Sequence, residues 1–158
     1  VLFRSAGVRI ALHPDDPPLE ELRGTARLVW KPELYRRVFD LVPSDCNMAE
    51  FCQGTVSEMN GDIDVYQAIE EFTAAGKIAY VHFRNVRGKV PDYHEMFVDD
   101  GDVDMVRALR LYHQNGFDGV LIPDHTPGLE CAAPWHAGMA YAIGWMRATI
   151  ALIERNEA

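Results

Sequence analysis

The sequence predicts a parallel α/β fold, a segment of a β/α barrel, and three observations carry that prediction. Short apolar runs rich in β-branched residues alternate with stretches of helical period, the pattern of repeated βαβ units. Glycines stand just past the ends of two of those helices, at Gly76 and Gly116. Four residues of metal-ligating type, His13, Cys52, His82 and Asp124, each close a different strand candidate, at intervals of 39, 30 and 42 residues. Each interval accommodates one strand–helix unit and a loop, and in a parallel barrel successive strand ends line one face.

Taken in order, the first strand is the run 8–12, followed by the polar loop His13-Pro-Asp-Asp-Pro-Pro. Residues 31–41 show helical periodicity through Leu34, Tyr35, Val38, Phe39 and Leu41, with Pro32 suited to the first turn. The second strand, 48–52, ends at Gln53-Gly54-Thr55, and a helix over 63–75 is closed by Gly76. The run 78–83 is the strongest strand. A helix over 103–115 carries Val106, Leu109, Leu111 and Tyr112 on its apolar side and is closed by Gly116. The last strand spans 119–122, and a long helix spans 140–154.

At 158 residues and 48% hydrophobic the chain can bury a real core, about 70% of its unfolded surface. A complete eight-unit barrel needs about 250 residues. The chain also opens at Val1 without an initiator Met. It therefore reads as one domain over 1–158, about four βα units from the C-terminal part of a longer barrel, with 1–7 an end artefact. The formal charge of −9 and the lack of any Lys/Arg cluster longer than two argue against nucleic acid or an anionic membrane as partner. No apolar run approaches the ~18 residues of a transmembrane helix. Three cysteines, Cys46, Cys52 and Cys131, without CxxC spacing fit a reducing cytoplasmic setting better than a disulfide scaffold.

Each ligand candidate has a plainer explanation by itself. A strand histidine is usually a hydrogen-bonding partner, a lone cysteine a small buried hydrophobe, and an aspartate after a strand a helix cap. Their shared topological position favours a divalent metal site, for which imidazole, thiolate and carboxylate are all competent. Arg84 follows His82 by two residues and so lies on the same strand face. It is the candidate for a bidentate contact with a substrate carboxylate, with Asn85 adding a hydrogen bond; the alternative is a solvated loop. His125 is a candidate acid or base or else an exposed loop residue. Tyr141, after a loop holding Pro134, Trp135 and His136, is core packing by default and a proton-transfer group if an arginine lowers its pKa. His94 and His113 are assigned no role. The acidic run 99–104 fails as an EF-hand, which would need Gly at 105 and Glu at 111 where the chain has Met105 and Leu111. A turn with Asp102 capping the next helix accounts for it.

The segments His13-Pro-Asp-Asp-Pro-Pro, Phe51-Cys-Gln-Gly-Thr, Val81-His-Phe-Arg-Asn-Val-Arg-Gly, Asp99-Asp-Gly-Asp-Val-Asp-Met and Gly119-Val-Leu-Ile-Pro-Asp-His strongly resemble the mannonate dehydratase family, in order and in spacing. The resemblance implies a xylose-isomerase-like β/α (TIM) barrel and a Mn²⁺-dependent hydro-lyase of hexuronate catabolism. That lyase converts D-mannonate to 2-keto-3-deoxy-D-gluconate and water. It places the metal ligands at His13, Cys52, His82 and Asp124 and the catalytic groups at Arg84, His125 and Tyr141. The loop over 128–135 follows no family pattern.

The chemistry agrees. Dehydrating a polyhydroxy acid needs a base for the α proton, an acid for the leaving hydroxyl and a cation for the enediolate-like charge. Thiolate and imidazole ordinarily favour Zn²⁺ or Fe²⁺ over Mn²⁺, so Fe²⁺ or another divalent ion stands beside Mn²⁺. Two rivals remain: a sugar isomerase or epimerase of the same barrel group, and a non-catalytic metal-binding fragment. Carboxylate-rich sites typify the first, and Cys52 with His82-Phe-Arg-Asn argues against it. A half-barrel exposes two sheet edges, so homo-oligomerisation is a further expectation.

Overall fold

A computed structural model describes residues 2–156. Its elements are α1 (Leu2–Ser5), β1 (Ile10–Leu12), β2 (Glu21–Leu22), β3 (Thr25–Ala26), α2 (Pro32–Leu41), β4 (Asn47–Cys52), α3 (Gln53–Glu58) and α4 (Val65–Ala74). They continue with β5 (Ile78–His82), β6 (Asn85–Lys89), β7 (Asp92–Met96), α5 (Met105–Gln114), β8 (Val120–Ile122) and α6 (Pro134–Asn156). The four expected strands form one sheet in the order β1-β4-β5-β8, parallel at every pairing. Sequential neighbours joined by long crossovers are the arrangement of consecutive barrel units.

Local chemistry explains the element ends. Pro32 opens α2, where its missing N–H costs nothing. Asp64 caps α4 by accepting from the Tyr66 and Gln67 amides at 2.9 and 3.2 Å. Gly76 and Gly116 adopt φ of 62° and 73°, and the next amides, of Lys77 and Phe117, reach back to Phe72 and Tyr112. That is the Schellman closure expected of C′ glycines. The cap of α5 differs from expectation: Asp104 accepts from the Arg107 amide at 3.0 Å. Asp102 instead accepts from the Gly88 amide at 2.8 Å, tying the acidic turn to a hairpin.

That hairpin, β6 against β7 in antiparallel register, begins at Asn85, the residue after Arg84, where the alternative reading had a solvated loop. A second small hairpin pairs β2 with β3. The last helix starts at Pro134, six residues earlier than periodicity placed it, so Tyr141 lies two turns inside it.

The core lies between the sheet and α2, α4 and α5. Phe72 packs edge-on against Tyr35 and Phe39 and tilted against Phe51. Residues 48–52 are all buried, as befits a strand covered on both faces. The Tyr35 hydroxyl, fully buried, lies 3.0 Å from the carbonyls of both Leu12 and Glu50, pinning the ends of β1 and β4 together. The outer strands leave Ile10 and Val120 exposed. Among the described residues no helix is long and apolar enough to cross a membrane.

Candidate metal centre

The sheet register assembles the site. Between β4 and β5 it shifts at Ala49/Glu50, so that Glu50 pairs with Tyr80 and Cys52 with His82. Without the shift Cys52 would face Val81, whose side chain points to the other side of the sheet. Bulges of this kind re-aim side chains beside active sites. The result is that His13 after β1, Cys52 at the end of β4 and His82 at the end of β5 bring one donor atom each within 4.8 Å of one another. The two imidazoles lie 5.4 Å apart, centroid to centroid.

Their chemistry suits a cation. The Pro14 carbonyl lies 2.5 Å from His13 Nδ1 and accepts its proton, leaving Nε2 as the donor atom. Cys52 is fully buried. Burial pushes its thiol up, yet the two imidazoles, the Arg84 guanidinium and the Thr55 hydroxyl bring it down to about 5. The sulfur is therefore a thiolate at neutral pH, the form that ligates. For His13, burial opposes protonation, but the Cys52 sulfur and then the Pro14 carbonyl and Glu50 carry it up to about 9. His82 is likewise raised, chiefly by its hydrogen bond to Cys52. Without metal the site thus holds protons where a divalent cation would compete for the same lone pairs. His82 Nδ1 is buried and without a hydrogen bond, a further mark of a position made for a ligand.

The fourth expected ligand sits at the rim of this trio. Asp124 Oδ2 is 3.4 Å from His82 Nδ1 and 3.4 Å from Arg84 Nε, but Asp124 is not part of the compact three-donor group. Its backbone takes φ of 44°, a left-handed conformation that aspartate tolerates better than most residues and that clusters at functional sites.

Arg84 is only 2% exposed. Its Nη1 donates to Glu58 at 2.7 Å and Glu95 at 2.5 Å, and its Nη2 to Asp16 at 2.9 Å and Thr55 at 3.0 Å. Burial opposes its charge, but Cys52, Glu58 and Glu95 together hold the guanidinium protonated. The side chain threads past Gly54, where a Cβ would come 2.5 Å from Arg84 Cγ. Asn85 is fully buried and donates to the Val98 and Val103 carbonyls at 3.2 and 2.9 Å. Both residues expected to meet substrate are, in this geometry, bonded within the protein.

His125 is half exposed, 3.2 Å from Glu95 and 3.8 Å from Asp124, which places an imidazole at the mouth of the site. Tyr141 stands apart from this network. Its hydroxyl donates to Asp99 at 2.7 Å and its ring meets Phe97 edge-on. No arginine lowers this phenol; its pKa is raised, first by the hydrogen bond to Asp99. Sequence reasoning missed Asp16, Glu50, Glu58 and Glu95. Glu50 carried a readable signal, two residues before Cys52 and hence on the same strand face; the others lie in a loop, a short helix and a hairpin with no local signature.

Four parallel strands with a His/Cys/His donor set at their carboxyl ends define a segment of a β/α barrel with a candidate metal centre. Comparison with known proteins sharpens the class. The family model described as D-mannonate dehydratase (UxuA) matches residues 2–148. The chain is 32% identical over 124 residues to the mannonate dehydratase of Lactococcus lactis subsp. cremoris, covering 75% of this chain and 34% of that protein. The crystal structure of mannonate dehydratase from Streptococcus suis serotype 2 superposes with a TM-score of 0.85 at 26% identity, covering 98% of this chain and 46% of that one. A D-tagatose 3-epimerase-like protein shares the fold, with a TM-score of 0.74 at 14% identity. The chain belongs to the D-mannonate dehydratase family. It spans about a third of the length of the curated relatives it matches.

Proposed function

We propose that the protein carrying this chain is a metal-dependent hydro-lyase that converts D-mannonate to 2-keto-3-deoxy-D-gluconate and water in hexuronate catabolism, in the cytoplasm. The observation that carries this reading is the convergence of His13, Cys52 and His82 within 4.8 Å at the strand ends of a chain in the dehydratase family. His13, Cys52 and His82 would hold the ion, with Asp124 at its edge. Mn²⁺ follows from the family resemblance, and Fe²⁺ fits the softer thiolate and imidazole donors. When bound, the cation supplies charge stabilisation for the enediolate-like intermediate.

The chain's own groups divide the remaining work. His125, half exposed 3.2 Å from Glu95 and 3.8 Å from Asp124, takes the α proton. The resemblance assigns the second proton transfer to Tyr141, whose hydroxyl would have to leave Asp99 to protonate the leaving hydroxyl. Arg84 fixes Asp16, Glu58 and Glu95 around the site and meets the substrate carboxylate if one of these gives way; Asn85 braces the strand that presents it. The leaving hydroxide takes the proton of the acid and departs as water, the α proton held by the base restores that acid, and the enol left behind moves its hydroxyl proton to the former β carbon to give the 2-keto-3-deoxy product.

The test is the formation of 2-keto-3-deoxy-D-gluconate from D-mannonate. It is measured for this chain and for a chimaera in which it replaces the matching portion of the Lactococcus lactis enzyme. The chimaera is expected to lose turnover on chelation and regain it with Mn²⁺ or Fe²⁺. Isomerisation of a neutral aldose without dehydration of D-mannonate would establish the isomerase alternative instead.

A further inference from the structure

Glu95 stands between the buried arginine and the histidine at the mouth of the site. Its Oε1 lies 2.5 Å from Arg84 Nη1 and 3.2 Å from His125 Nδ1, and it belongs to β7, paired with Val86 of β6. The hairpin that presents it is pinned from three sides. The Val90 amide donates to the Glu58 carbonyl at 3.0 Å, Lys89 Nζ to the Met59 carbonyl at 2.9 Å, and the Gly88 amide to Asp102 at 2.8 Å. A carboxylate carried on a braced strand keeps its place better than one on a loop.

His125 lies in a stretch without helix or strand, just past Asp124 with its φ of 44°. Its ring therefore needs an outside partner to fix its orientation. The two ring nitrogens differ in what they meet. Nδ1 faces Glu95 at 3.2 Å, within hydrogen-bonding range, whereas Nε2 is 3.8 Å from Asp124 Oδ1, beyond it. A neutral imidazole carries one proton, and a carboxylate paired with a guanidinium can only accept. The proton thus belongs on Nδ1 and the lone pair on Nε2. A base needs that lone pair directed at substrate, and a third group that orients the ring is the general means of fixing it.

Resting on the reading of His125 as the base, we propose that Glu95 is its positioning residue. The carboxylate accepts the Nδ1 proton, sets the tautomer and turns Nε2 toward the substrate. Arg84 acts through it by holding Glu95 in place, a part separate from any contact with the substrate carboxylate. The β6–β7 hairpin is then a working piece of the site, since it brings Glu95 to a histidine 30 residues away in sequence.

Long-range proton–nitrogen correlation NMR of the histidine-labelled chain at alkaline pH, with His125→Ala to assign the signal, reads the tautomer directly. We expect a protonated Nδ1 and a bare Nε2 in the wild type, and a mixture of both tautomers in Glu95→Ala. A proton on Nε2 in the wild type overturns the proposal, and that result needs no Glu95 variant to fold. Kinetics in the chimaera with the Lactococcus lactis enzyme give a second readout. Glu95→Ala should lower kcat at least about tenfold, part of the roughly 10²–10⁴-fold that a general base supplies, with KM within about threefold. In a His125→Ala background the same substitution should cost less than about twofold, because residues that act as a unit do not add. Additive losses would mark Glu95 as merely structural and overturn the assignment while leaving His125 as the base. Unchanged turnover in His125→Ala alone overturns the reading of that base and this assignment together.

Discussion

Replacing Gly54 with alanine should destabilise the fold, against what helix propensity alone would give. Gly54 lies in α3, and an added Cβ would stand 2.5, 2.7 and 2.8 Å from Cγ, Nε and Cζ of Arg84. The arginine has no room to retreat, because its two Nη atoms are bonded to Glu58, Glu95, Asp16 and Thr55. Overpacking alone costs about 1–3 kcal/mol. Loosening a buried charge from its partners adds part of the roughly 3–5 kcal/mol that breaking such a pair costs. Alanine returns at most about 1 kcal/mol of helix propensity. The balance is a loss of about 2–4 kcal/mol, a melting temperature lower by roughly 6–12 °C for a domain of this size. Gly144, in α6 with no atom within 4 Å of its added Cβ, is the matched control. Gly144→Ala should stabilise by about 0.5–1 kcal/mol. Urea unfolding of the three proteins decides the matter. If Gly54→Ala is neutral or shifts the midpoint in the same direction as Gly144→Ala, the packing of Arg84 against the α3 backbone is not as described.

Three further outcomes are expected. Burial pushes Glu58 up to about 7 despite the neighbouring Arg84; an acid whose pKa is higher folded than unfolded loses stability as pH rises from about 4.5 to 7. Wild-type stability should therefore fall over that window, by on the order of 3 kcal/mol, relative to the pH profile of Glu58→Gln, and parallel profiles would count against it. His82→Ala should abolish metal binding in calorimetry, since it removes one of three converging donors. In the chimaera, His125→Ala and Tyr141→Phe should leave the metal bound while slowing D-mannonate dehydration by about 100-fold or more; retained rates would remove these residues from proton transfer.

How much of this was legible beforehand differs by length scale. The four sheet strands and four of the helices follow from apolar periodicity and glycine stops, because those signals are local. Their ends moved by a residue or two, and α6 began at Pro134 since a proline is tolerated in a first turn. The β6–β7 hairpin escaped notice because Arg87, Lys89, Asp92 and His94 make it look like solvated loop. The convergence of His13, Cys52 and His82 was readable because parallel topology turns sequence position into place. The carboxylates around Arg84 were not, since Asp16, Glu58 and Glu95 meet only through contacts 11 to 68 residues apart in sequence. Asn85 and Arg84 show the converse: a polar residue after a strand reads as substrate-facing, but burial and partners are tertiary facts.

Charge gives the centre its logic. Asp16, Glu58, Glu95 and Asp124 crowd around one fixed cation, Arg84, in contacts between 2.5 and 3.4 Å; Glu50 lies against the two imidazoles at 3.2 and 3.3 Å, and the Cys52 thiolate adds to the negative side. Like charges at such range cannot all persist in a low-dielectric interior without compensation. The protein alone meets this by protonation: His13 is carried up to about 9, and Glu50 is pushed up to about 7, first by burial. The His13 proton sits on the lone pair that a metal requires, so loading the site must release it, and metal affinity should rise with pH as that proton is lost. Co²⁺ titrations at pH 6 and pH 8 in two buffers of different ionisation enthalpy would count the protons released. Binding that is independent of pH and releases none would mean that the ion sits elsewhere than on His13, Cys52 and His82.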